Sequence, residues 1–76
     1  MLKLIEAMAK AIVDHPDQVR VNGVEGENSF VIELRVAKED IGKVIGKHGR
    51  TITAMRTVLN ATRAQKEKRH VLEVLE

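Results

Sequence analysis

The chain has 76 residues, enough for a single domain in which folding removes only about 60% of the unfolded chain's surface from water. With 43% hydrophobic residues but one aromatic, Phe30, its thin core is built from Val, Ile, Leu, Met and Ala, and the lack of cysteine excludes a disulfide scaffold and a cysteine zinc site. The net charge of +2 hides an asymmetry, since residues 42 to 69 carry eight Lys or Arg against the single acid Glu67 while the remainder carries five basic and ten acidic residues, and such a basic half points to a polyanionic partner.

Leu2, Ile5, Met8, Ala9, Ile12 and Val13 recur at helical spacing with Lys3, Glu6 and Lys10 between them, which predicts an amphipathic helix over residues 2 to 14. Charge within that stretch, and the absence of any uncharged run near the ~18 residues of a membrane span, give neither a signal peptide nor a membrane segment to expect. Pro16 stops the helix. Val19 and Val21 then alternate with Arg20 and Asn22 as a half-buried strand over residues 19 to 24, weakened by Gly23. A turn at Gly26-Glu27-Asn28 leads to a clearer strand, where Phe30, Ile32, Leu34 and Val36 alternate with Val31, Glu33 and Arg35, and the two strands are expected to pair as a hairpin.

Lys38-Glu39-Asp40 places acids at the positive end of a short helix whose buried side is Ile41, Val44 and Ile45 and which ends at Gly46. After Gly49 a longer helix runs to about Ala64, with Ile52, Met55, Val58, Leu59 and Thr62 on one side. Arg56, Asn60 and Arg63 lie on another side, readable as a solvated face, a nucleic-acid fringe or a dimer contact. Residues 65 to 69 form a polar connector and residues 70 to 75 a last strand. No repeat, low-complexity tract or linker divides the chain, so one domain over residues 1 to 76 is the expectation.

The informative stretch is Ile41-Gly42-Lys43-Val44-Ile45-Gly46-Lys47-His48-Gly49-Arg50-Thr51-Ile52. Its closing glycines let the backbone turn sharply and approach another chain closely, and the amides opening the following helix favour phosphate. A P-loop needs four residues between its glycines and then Gly-Lys-Ser/Thr, whereas three separate Gly42 from Gly46 and Lys47 is followed by His48. A dinucleotide fingerprint fails as well, because position 44 is Val and the motif follows a helix. On Gly-x-x-Gly alone, a plain helix-turn-helix corner stays open.

The longer string Ile-Gly-x-Val-Ile-Gly-x-x-Gly-x-x-Ile resembles, without a gap, the signature of KH domains. The element order looks like the prokaryotic, type II arrangement, which implies an α+β fold of order helix-strand-strand-helix-helix-strand. In that arrangement three helices pack on one face of a three-stranded mixed sheet. Residues 1 to 28 would supply the extra helix and strand, and residues 29 to 76 the minimal core. As a stand-alone domain with Asp40-Ile41-Gly42 entering the motif and Arg50-Thr51-Ile52 leaving it, the chain resembles the bacterial KhpA family. That resemblance implies a cytoplasmic RNA-binding protein, an RNA chaperone or post-transcriptional regulator tied to cell-wall and cell-shape control. It further implies pairing as a homodimer or as a heterodimer with a second KH protein, KhpB.

KH modules clamp about four nucleotides of single-stranded RNA, with the backbone on the Gly-x-x-Gly loop and the bases over an apolar groove. By this resemblance Gly46, Lys47, His48 and Gly49 take the backbone, and Gly42, Lys43, Ile45, Arg50 and Ile52 form the near side of the groove. The last strand and the connector form the far side, with Lys66, Lys68 and Arg69 available to phosphates. His48 departs from the Lys or Arg commoner at its position. Ile45 and Ile52 also read simply as core residues.

One Phe without Trp or Tyr cannot supply the stacking platform of an RRM or OB-fold. Without stacking, four nucleotides offer a small contact, so two domains acting together are expected. Three or four phosphate contacts predict a log-log salt slope of about −2 to −3. Three scattered histidines, no cysteine and no paired carboxylates at a motif give no expectation of catalysis, a cofactor or a metal. The competing reading is a protein-interaction or dimerisation module, bound through the helix after Gly49, whose RNA contact is secondary.

Overall fold

A computed structural model describes residues 2 to 62 and 68 to 76, with the backbone alone at Thr62. Along the chain run α1 (Leu2–Ile12), β1 (Arg20–Glu25), β2 (Ser29–Arg35), α2 (Ile41–Ile45), α3 (Arg50–Thr62) and β3 (Arg69–Leu75). Their order is the one the KH resemblance implies. The last strand takes in Arg69, expected in the connector, because Arg69 pairs with Ser29. Residues 63 to 67, with most of the expected connector and the end of the expected helix, lie outside the described residues.

The sheet has the order β1-β2-β3, with β1 antiparallel and β3 parallel to the central β2. In this register Val21 lies opposite Leu34, Ile32 lies between Gly23 and Leu72, and Leu34 also faces Val74. Alternation carries these side chains to one face, where Ile32, Leu34 and Leu72 join Ile5 and Ala9 of α1 and Ile52, Met55 and Leu59 of α3 in one core cluster. The other face bears Asn22, whose amide donates to Glu33 at 3.2 Å, and a row of Val24, Val31 and Val71 in register across all three strands.

Gly23 has a packing reason. A Cβ there would lie within 2.6 Å of the Phe30 ring, so the missing side chain makes room for the aromatic on the neighbouring strand. The same ring meets His70 of β3 edge-on, with centroids 5.9 Å apart.

α1 ends at Ile12, two residues before the periodicity predicts. Asp40 is the cause. Its carboxylate is fully buried and accepts the backbone amides of Asp14 at 3.2 Å and His15 at 3.0 Å. Those amides therefore turn away from helix carbonyls and tie the exit of α1 to the start of α2. The sequence assigns Asp40 to the dipole of α2, but it makes no capping bond to that helix. Its partners are 25 and 26 residues distant.

Candidate nucleic-acid interface

α2 and α3 meet at a corner built by three positive-φ residues within four positions. Gly46 has φ 78 and ψ 167, His48 φ 58 and ψ 25, and Gly49 φ 71. Positive φ is open to glycine, and among other residues is commonest for Asn, Asp and His. The Gly46 amide still donates to Gly42 O at 2.9 Å, closing α2, and the Gly49 amide donates to Gly46 O at 3.0 Å. A Cβ on Gly46 would strike the Thr51 side chain and lie 2.8 Å from its amide nitrogen. The corner is thus packed against the first turn of α3, with Lys47, His48 and Arg50 exposed on it.

The residues read from the motif are not equivalent in this setting. Gly42 is exposed, and nothing lies within 4 Å of where its Cβ would be. Ile45 is half-buried and packs against the core, whereas Ile52 is 4% exposed and belongs to it. Lys43 faces Asp14 at 3.5 Å, an exposed pair of small energetic weight. Lys68 is engaged across the sheet, where its ammonium donates to Gly26 O at 2.6 Å and Glu25 Oε1 at 3.2 Å and so holds the β1–β2 turn. Among the described residues, none pairs with the cationic ends of Lys47, Arg50 or Arg69. Lys66 lies outside the described residues.

Two concave surfaces flank α3. Between α1 and α3 an apolar groove of about 310 Å³ is lined by Met8, Ala11, Ile12, Thr51, Ala54 and Met55. Between α3 and β3 a cavity of about 300 Å³ is lined by Arg56 and Asn60 on one side and residues 69 to 72 on the other. Arg56, readable from spacing as merely solvated, donates from Nη2 to Leu72 O at 3.2 Å and so ties α3 to the edge strand. No sequence signal marks that contact, which joins residues 16 apart through the fold. Among the described residues no group of three or more His, Cys, Asp or Glu is placed to hold a metal, and no helix is long and apolar enough to cross a membrane.

An α+β domain of order helix-strand-strand-helix-helix-strand, with a mixed three-stranded sheet and Gly-x-x-Gly between two helices, is a KH domain. The chain belongs to the KhpA/KhpB KH-domain family, whose model matches residues 3 to 74. It is 51% identical over 75 residues to the RNA-binding protein KhpA of Clostridium acetobutylicum, which covers 99% of this chain and all of that one. Identity to the protein of the same name from Aquifex aeolicus is 52% over 73 residues, covering 96% and 92% of the two chains. For the one from Chlamydia pneumoniae it is 43% over 76 residues, covering 100% and 97%. No solved structure matches the chain.

Proposed function

We propose that this domain is a binding module for single-stranded RNA, with the sugar-phosphate backbone seated on Gly46-Lys47-His48-Gly49 and about four nucleotides held across the groove beyond. The observation that carries this reading is the corner itself, where positive φ at Gly46, His48 and Gly49 presents Lys47 and His48 to solvent. Gly42 adds support. The fold has no steric need of a glycine there, and a glycine in a helix weakens it, so the bare backbone serves close approach by a ligand. Relatives named as RNA-binding proteins over nearly their full length favour the same conclusion. In the cell, the reading extends to a cytoplasmic RNA chaperone or post-transcriptional regulator, acting with a second copy of itself or with KhpB.

Titration of a fluorescent single-stranded RNA tests it. Lys47→Asp/His48→Asp, with a melting temperature near that of the wild type, is expected to lose at least tenfold in affinity, since two favourable phosphate contacts become repulsive. Equal binding by the two proteins would move the RNA off this corner.

One observation favours a second reading, a dimerisation module. The α1–α3 groove is apolar, and large apolar side chains stand exposed on α1 and α3, Ile12 at 38% and Val58 at 39%. A second copy of the chain is its occupant in this reading, because a four-nucleotide site without aromatic stacking gains useful affinity when two are joined.

A further inference from the structure

The three histidines stand in different settings. His15 Nε2 lies 3.6 Å from Glu39 Oε2, and His70 is half-buried in β3 with its ring edge-on to Phe30. His48 is exposed on the corner, and among the described residues no carboxylate pairs with it. Residues 41 to 66 contain neither Asp nor Glu. The elements packed against the corner are α2 and α3, and the charged groups they bring near it are Lys43, itself 3.5 Å from Asp14, and Arg50, which follows Gly49. Lys47 adds a third cation from the corner itself, while α1 reaches the first turn of α3 with Met8, Ala11 and Ile12 alone. A proton on His48 therefore adds positive charge to a cationic corner and meets no acid of the chain there. What can balance it is an anion from outside.

Histidine is the side chain whose ordinary change of charge falls between about pH 5 and 8. Protonated, the ring donates from both nitrogens and bonds a phosphate oxygen with charge assistance; neutral, it offers one N–H and no charge. Positive φ at His48, as at Gly46 and Gly49, fixes where that ring leaves the backbone. We propose that RNA binding at this corner is coupled to uptake of one proton by His48, so that the domain holds single-stranded RNA more tightly as pH falls through neutrality. The proposal rests on the RNA-binding reading above and adds regulation to it. Coupling of this kind is reciprocal: a phosphate that prefers the imidazolium makes the protonated protein the better RNA binder by the same factor.

The test is a titration with an oligouridylate lacking terminal phosphates, whose own charge stays constant over the range used. From about pH 8 to about pH 6 the wild type is expected to gain several-fold in affinity. Its log-log salt slope should steepen by about 0.7 over the same interval, the mark of one more phosphate contact. His48→Asn keeps a residue that tolerates left-handed backbone but never carries charge, and His48→Lys carries it throughout. Both variants, checked by melting at each pH, are expected to lose the pH dependence, with His48→Lys the tighter binder. If His48 serves only the backbone turn, wild type and His48→Asn will share one pH profile, and that result overturns the proposal. So does a pH dependence that survives in His48→Asn, which assigns the proton to another group. Loss of binding in Lys47→Asp/His48→Asp beside a flat wild-type profile overturns the proton coupling and leaves the RNA site in place. Undiminished binding by that double variant overturns the RNA site and the coupling together.

Discussion

At φ 58 and ψ 25, His48 holds a left-handed conformation that costs most L-residues roughly 1 to 2 kcal/mol, and it does so between two glycines that also have positive φ. The three glycines of the motif thus divide by physical role. Gly46 is structural, and Gly46→Ala should destabilise by about 2 kcal/mol or more through positive φ and collision with Thr51. Gly42→Ala should do the opposite, stabilising by about 0.5 to 1 kcal/mol because a helical glycine gains a methyl in open space, while weakening RNA binding through that same methyl. Thermal melts and RNA titrations of both variants check this, and a Gly42→Ala protein with undiminished affinity would remove Gly42 from the interface. The motif's spacing announced a corner. It could not announce that His48 would share the glycines' backbone region, because nothing in Gly-x-x-Gly says which of the intervening residues carries the turn.

Elements were the most readable scale, since periodicity sets them locally. Ile5 and Ala9 of α1, Ile32 and Leu34 of β2, and Met55 and Leu59 of α3 are in the core where the alternation and helical spacing put them. Gly23 weakened the first strand on propensity, but packing overrides propensity there, because the Phe30 ring fills the space. What stayed illegible are contacts between elements distant in sequence. Asp40 accepting from Asp14 and His15, Lys68 on the Gly26 carbonyl and Arg56 on Leu72 all link side chains to backbone groups that only the folded arrangement brings near. Asp40 joins the N-terminal helix to the corner-bearing one. Asp40→Ala, which strips two charge-assisted bonds, should cost about 2 to 3 kcal/mol, lowering the melting temperature by on the order of 10 to 20 °C for a domain this small. Asp40→Asn keeps one acceptor oxygen and should fall between. A melt within 3 °C of wild type, a threshold set below the roughly 4 °C expected per kcal/mol, would show that the tie carries no net stability.

For the molecule as a whole, the uneven charge seen in the sequence falls on the parts that flank the proposed RNA path. Lys47, His48 and Arg50 lie at one end of α3, while Arg56 and Arg69 line the cavity farther along. Apolar surface is distributed differently, with Ile12 and Val58 exposed on the helical side. If a second copy covers that side, light scattering at rising concentration should report twice the mass of the single chain, and Val58→Glu should return it to the mass of one. A single-chain mass at every concentration would sink the dimer.

The register of the sheet also sets an order of events. The turn at Gly26 brings β1 and β2 together from adjoining stretches, whereas β2 meets β3 through pairs such as Ile32 with Leu72, forty positions apart. The entropy lost in closing so long a loop grows with its length, so hairpin and helices form early and β3 docks late. While β3 is absent, the central strand offers an open edge carrying Phe30, Val31 and Ile32 to any other chain in the same condition. Yield on refolding should therefore depend on dilution: the strand that completes this small sheet competes, until it arrives, with every neighbouring copy of itself.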